Sequence, residues 1–133
     1  MEDTFKAEGF HLLGFLSNDF GNQGGTGGQI DMCNAQYGIM FEQFAVNHVK
    51  DPDGAGPQTA QPVWEWLLSQ PNPGPWGAPE PAWNFHKYLV SRDGTLVAHW
   101  DSGVYPGDDP GNPNDSFDTS AIVVAIKAEL AKP

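Results

Sequence analysis

Residues Phe10–Leu16 form a nearly continuous apolar run, with the length of a strand and the pattern of one covered on both faces. Ile39–Val46 is a second candidate strand. Ahead of them, Met1–Glu8 reads as a short helical piece ending at Gly9, a residue suited to a left-handed cap. Ser17–Gly28 is a loop carrying five glycines, and Gln29–Tyr37 is a short helix stopped at Gly38. Pro62 suits the first turn of a helix running to about Gln70. Its Val63, Trp64, Trp66, Leu67 and Leu68 spread over more than one helix stripe. Trp83–Val90 and Thr95–Trp100 flank Ser91-Arg92-Asp93-Gly94, and Asp-Gly between apolar runs signals a hairpin. A last helix spans about Thr119 to Ala131, capped by Asp118 or Ser116, with Ile122, Ile126 and Leu130 at four-residue spacing. The order is helix, strand, helix, strand, helix, hairpin, helix, an α/β layout without internal repeats.

Three connections are rich in Gly, Pro or Asp. Asp51–Gln61 and Pro71–Pro81 exclude regular structure, the latter through five prolines. Asp101–Asp118 is an acidic loop. At 133 residues the chain has the size of one domain, residues 1–133, able to bury a core that sixteen aromatic residues help to fill. The net charge of −11 argues against nucleic acid and anionic membrane surfaces as partners, since both reward Lys and Arg. No apolar run approaches the length of a membrane span, and the acidic start Met1-Glu2-Asp3 is unlike a secretory leader. The cytoplasm is therefore the default expectation. The single Cys33 rules out a disulfide within the chain.

Several chemical signals are weak. No Gly-Lys-Ser/Thr follows the glycines of Gly21–Gly28, which excludes a nucleotide loop. Asp51-Pro52-Asp53-Gly54 lacks the ligand spacing of a calcium hand. His11, His48, His86 and His99 have no short metal-ligand spacing, and no Ser-His-Asp arrangement follows from spacing alone. No metal and no cofactor is expected.

A combination of segments says more. Leu13-Gly14-Phe15-Leu16-Ser17-Asn18-Asp19-Phe20-Gly21-Asn22-Gln23, Gln61-Pro62-Val63-Trp64-Glu65-Trp66-Leu67 and Trp83-Asn84-Phe85-His86-Lys87-Tyr88-Leu89-Val90 stand in order. Together they resemble signature segments of the glutathione peroxidase family. The resemblance implies a thioredoxin-like fold: a mixed central sheet flanked by helices. It also implies thiol-dependent reduction of hydrogen peroxide or organic hydroperoxides, with glutathione or thioredoxin as the reductant.

The residues that match the family's site are Gln23, Trp83 and Asn84. They are side-chain donors around a reactive Cys or selenocysteine rather than nucleophiles themselves. Taken singly, a Trp opening a strand is usually core, an Asn there a turn residue, and a Gln among glycines a solvated one. Cys33 is the single thiol; it matches a helix position where many thiol-dependent members carry a Cys, and its ordinary reading is a small buried hydrophobe. Leu16-Ser17 stands where the family usually has Pro-Cys, and Gln23-Gly24-Gly25-Thr26 stands for its Gln-Glu-Pro-Gly turn. The resemblance begins inside the family's first long helix. The first strand and the reactive residue of the family are accordingly expected to lie outside this sequence.

Two consequences follow from that expectation. Phe10–Leu16 and Ile39–Val46 should both flank the missing central strand, leaving apolar edges that favour poor stability alone or a homodimer. The rival functional reading is a non-catalytic binding protein of the same fold, in which a partner's strand fills the gap. Chemistry recruited to the acidic loop is a third.

Overall fold

A computed structural model of the chain describes residues 1–21, 23–50, 60–71, 80–107, 111 and 116–133, with the side chain of Cys33 outside the description. Most of the connections read as 51–61 and 71–81, and part of the acidic loop, lie outside the described residues. The chain divides into two compact units. No described helix is long and apolar enough to cross a membrane.

One unit comprises residues 11–69 with Glu2. Strand β1 (Leu13–Phe15) pairs in parallel with β2 (Glu42–Phe44), placing Leu13 opposite Glu42 and Phe15 opposite Phe44. Parallel neighbours need a crossover, and helix α2 (Gly27–Tyr37) lies within it. Thr26 and Gln29 form a reciprocal capping box at its start, and Gly38 ends it with φ 63°. These local devices hold a helix that leaves Met32 and Tyr37 about 70% exposed. A tie to β2 is the Gln43 side-chain amide donating to Asn34 Oδ1 at 2.8 Å.

Helix α3 (Pro62–Ser69) opens at the proline, as expected, and buries Trp64 and Leu67. Phe15 stacks on Phe44 at 4.6 Å and meets the Trp64 ring edge-on at 5.8 Å. These three rings tie the parallel pair to α3. Gly14 has a packing reason as well: a Cβ there would stand 3.0 Å from the Phe41 ring.

The strand expectations need three corrections. Both strands are three residues long, and β1 is half-exposed rather than covered on both faces. Nor do they flank a third strand between them: β1 and β2 bond directly to each other. Helix α2 also begins two residues earlier than read, because Thr26 supplies the cap.

The other unit contains residues 3–10 and 70–133 with Met1. Helix α1 (Glu2–Phe5) runs into a 3₁₀ turn, Lys6–Glu8, ended by Gly9 at φ 92°. Strands β3 (Lys87–Val90) and β4 (Leu96–Trp100) form the hairpin. Gly94 takes φ 84° in its turn, where the Asp93 carboxylate accepts from the Thr95 amide at 2.9 Å. A register shift at Leu89/Val90 makes Val97 the extra residue of a bulge.

Helix α4 (Ala121–Leu130) is capped by neither residue read from the sequence. Ser116 caps the preceding 3₁₀ turn, Phe117–Thr119, while the Ser120 hydroxyl accepts from the Val123 amide at 3.2 Å. Ile122, Val123 and Ile126 bury against Phe5, Leu89 and Trp100. The Phe5 ring is stacked on Phe117 at 6.1 Å. On the hairpin turn, Arg92 donates to the Glu8 carbonyl at 2.8 Å and to the Lys132 carbonyl at 3.4 Å. It thereby ties the ends of two helical segments to the turn.

The opposite face of the hairpin carries an aromatic ladder. Tyr88 pairs with His99 across the strands, and His86 follows on the same side. The rings of His86 and His99 stack at 5.4 Å, with His86 Nε2 3.2 Å from His99 Nδ1. One nitrogen must donate and the other accept, so the two rings cannot both be protonated at these positions. Burial first, and His99 second, lower the His86 pKa from 6.5 to about 4. Burial also raises the Tyr88 phenol, helped by Glu80.

Two outcomes follow for stability. Ile126→Ala, at a position 2% exposed, should cost about 2–5 kcal/mol in denaturant titration. As pH falls from 6.5 towards 4, the unfolded chain takes up a proton at His86 that the folded chain refuses. Stability should therefore decline across that window and be regained on return to neutral pH. His86→Gln keeps a donor but cannot titrate; thermal melts of that variant should show a flatter acid limb.

Candidate functional site

The loop after β1 is built around one buried carboxylate. The side chain of Asp19 is 6% exposed, and its Oδ1 lies 2.6 Å from His48 Nδ1. Its Oδ2 accepts from the amides of Val49 at 2.8 Å and Lys50 at 3.0 Å. Burial alone would raise the Asp19 pKa. Bonds from Val49, His48, Lys50 and Ser17 outweigh it and hold the carboxyl below its ordinary range. Near neutral pH Asp19 is ionised and accepts only, so His48 Nδ1 carries the proton between them.

Around that anchor the loop closes on itself. The Ser17 hydroxyl accepts from the Asp19 amide at 3.1 Å, and Asn18 Oδ1 accepts from the Gly24 amide at 2.9 Å. A Cβ on Gly24 would stand 2.8 Å from the Ser17 carbonyl carbon and oxygen, so the turn closes only with glycine there. Asn47 extends the link, its amide donating to the Leu16 carbonyl at 3.0 Å. Gln23 lies on this closed loop with an exposed side chain.

Trp83 and Asn84 belong to the other unit. They stand in a turn before β3 rather than at the start of a strand, because the ladder begins only at Lys87. Phe85 completes the turn at φ 59°, a left-handed conformation that costs a non-glycine residue about 1–2 kcal/mol. Trp83 is 52% exposed, unlike the core position usual for a Trp that opens a strand. Just beyond, Lys87 donates to the carbonyls of Val104 at 2.6 Å, Asp101 at 3.2 Å and Ser102 at 3.3 Å. Burial lowers its pKa while Asp101 works against that. The ammonium thus fastens the segment after β4 beside the Trp-Asn turn.

Trp83 and Asn84 are therefore presented together by one turn, and Gln23 by the Asp19-anchored loop. Cys33 lies in α2. Among the described residues no group of three or more His, Cys, Asp or Glu is placed to hold a metal ion. The Asp19–His48 pair escaped sequence reasoning because its members lie 29 residues apart, and neither has neighbours that mark it.

No protein-family model matches the chain. It is similar to the hydroperoxy fatty acid reductase gpx1 of Synechocystis, 35% identical over 111 residues, covering 78% of this chain and 62% of that protein. The glutathione peroxidase-like peroxiredoxin gpx1 of Schizosaccharomyces pombe is 34% identical over 100 residues, covering 74% and 58%. The phospholipid hydroperoxide glutathione peroxidase of Sus scrofa is 30% identical over 93 residues, covering 69% and 44%. The chain spans at most 62% of the length of these relatives. With these similarities beside the three ordered segments and the mixed α/β layout, the chain belongs to the glutathione peroxidase family.

Proposed function

We propose that the whole protein reduces hydrogen peroxide or organic hydroperoxides with a thiol reductant, glutathione or thioredoxin. In this reading Gln23, Trp83 and Asn84 are donors that hold the peroxide and the developing anion. The support that carries it is the similarity, across three-quarters of the chain, to proteins named hydroperoxy fatty acid reductase and glutathione peroxidase-like peroxiredoxin. The reaction is ROOH + 2 RSH → ROH + H₂O + RSSR. A thiolate or selenolate attacks the terminal peroxide oxygen, the O–O bond breaks, and the first thiol resolves the oxidised residue before the second completes the disulfide.

The peroxidatic Cys or selenocysteine is, in this reading, absent from residues 1–133, where Cys33 is the single thiol. Amide and indole donors stabilise charge; they do not create the nucleophile. Residues 1–133 alone should therefore consume hydroperoxide no faster than a generic exposed thiol, in a coupled assay with glutathione or thioredoxin. Rapid turnover abolished by Cys33→Ser would overturn this and make Cys33 the reactive residue.

The shared role of the three donors has its own check. In a Cys33→Ser background, Gln23→Cys with Asn84→Cys should be joined intramolecularly by a short bismaleimide, read by mass spectrometry of the digest. Gln23→Cys paired with Thr95→Cys in the hairpin turn is the control. Equal yields for the two pairs would remove the single-site reading.

A further inference from the structure

We propose that Asp19 and His48, with Lys50, form the station at which the thiol reductant gives up its proton. The proposal rests on the thiol-dependent reading above, and adds a base to the unit that carries Gln23.

Geometry fixes the chemistry of the pair. Asp19 is fully engaged, by His48 on one oxygen and by two backbone amides on the other. Its position is thus set by the chain rather than by the histidine, and it holds the imidazole with Nδ1 protonated. The neutral ring then presents the Nε2 lone pair, and the His48 side chain is 52% exposed, open to a molecule arriving from solvent. A buried carboxylate behind an accessible imidazole is how an enzyme fixes the tautomer of a base and stabilises the imidazolium it becomes.

The charge pattern selects the acid. Lys50 is the sole Lys or Arg between residues 7 and 86 of a chain with net charge −11. Its ammonium lies 5.6 Å from the centre of the buried Phe20 ring, and its amide is bonded to the same Asp19. The one cationic residue of this stretch thus stands two residues from the base, with its amide on the same carboxylate. A small thiol bearing a carboxylate fits: its S–H bond breaks, the proton goes to His48 Nε2, and the electron pair stays on sulfur as a thiolate paired with the imidazolium. The step is a proton transfer and needs no oxidant; the thiolate is the species that attacks oxidised sulfur or selenium.

The test uses residues 1–133 with Cys33→Ser and no hydroperoxide, so its result is independent of peroxidase turnover. His48 ring signals are followed by ¹H–¹⁵N NMR at constant neutral pH while N-acetylcysteine is added. A saturable movement of His48 towards imidazolium shifts is expected, with none on adding N-acetylserine, whose hydroxyl does not ionise. Asp19→Asn should weaken the apparent affinity at least about tenfold by releasing the tautomer. Lys50→Gln should weaken it while leaving the free His48 signals unchanged, and serves alone should Asp19→Asn not fold. An unmoved His48, or equal movement with the alcohol, would overturn the proposal. A moving His48 in a protein whose full-length form lacks peroxidase turnover would leave the base standing and remove the reading it serves.

Discussion

A carboxylate cannot be buried without donors, and Asp19 draws three of them from one short segment, His48 to Lys50. That requirement organises the connections after both strands of the parallel pair. β1 and β2 contribute only three ladder positions each, too few to dictate where the chain goes next. The carboxylate continues the pairing by other means, and the Leu16–Asn47 backbone bond lies along the same seam. Breaking it by removing one partner would leave the other unpaired, which costs more than the bond itself contributes. Asn18 and Gly24 then close the loop that carries Gln23.

The hairpin unit meets the same problem with apolar burial. α4 covers one face through Ile122, Val123 and Ile126, and Phe5 completes that layer. The other face holds His99 at 3% exposure with His86 and Tyr88 stacked beside it. A charged His86 there would meet a second ring nitrogen 3.2 Å away and a low-dielectric surrounding, which is why its pKa is lowered. The rigidity this gives the hairpin is useful to the turn ahead of it. Phe85 takes its left-handed backbone two residues ahead of that ladder. Lys87, opposite Trp100 in register, adds three carbonyl bonds to the segment that follows.

What the sequence made legible was local. Gly9, Gly38 and Gly94 end or turn elements through their own φ angles, and Pro62 opens α3 because its missing N–H is unneeded there. These effects act within a few residues, so a pattern of letters carries them. Strand extent is different. Phe10–Leu16 is apolar throughout, yet only the residues with a partner across the ladder become strand, and the partner is set by β2. The cap of α4 was misplaced because Ser116, Asp118 and Ser120 are all competent, and the choice falls on the residue whose hydroxyl reaches Val123 after the 3₁₀ turn.

The site divided along the same line. Gln23, Trp83 and Asn84 stood out as candidates because the segments carrying them resemble a family pattern as whole strings of residues. Asp19 and His48 were hidden because each looks ordinary alone: an Asp in a polar loop, a His before a Gly/Pro-rich stretch. Their significance lies in a 2.6 Å contact across 29 residues, with amides that anchor the carboxylate from behind. Asp19 also occupies a place where the resembled segment has a Gln, which cannot serve as a counter-ion. A carboxylate, unlike an amide, accepts on both oxygens, and here it takes His48 Nδ1 on one and two backbone amides on the other. A departure from family pattern is therefore where this chain's own chemistry is to be sought.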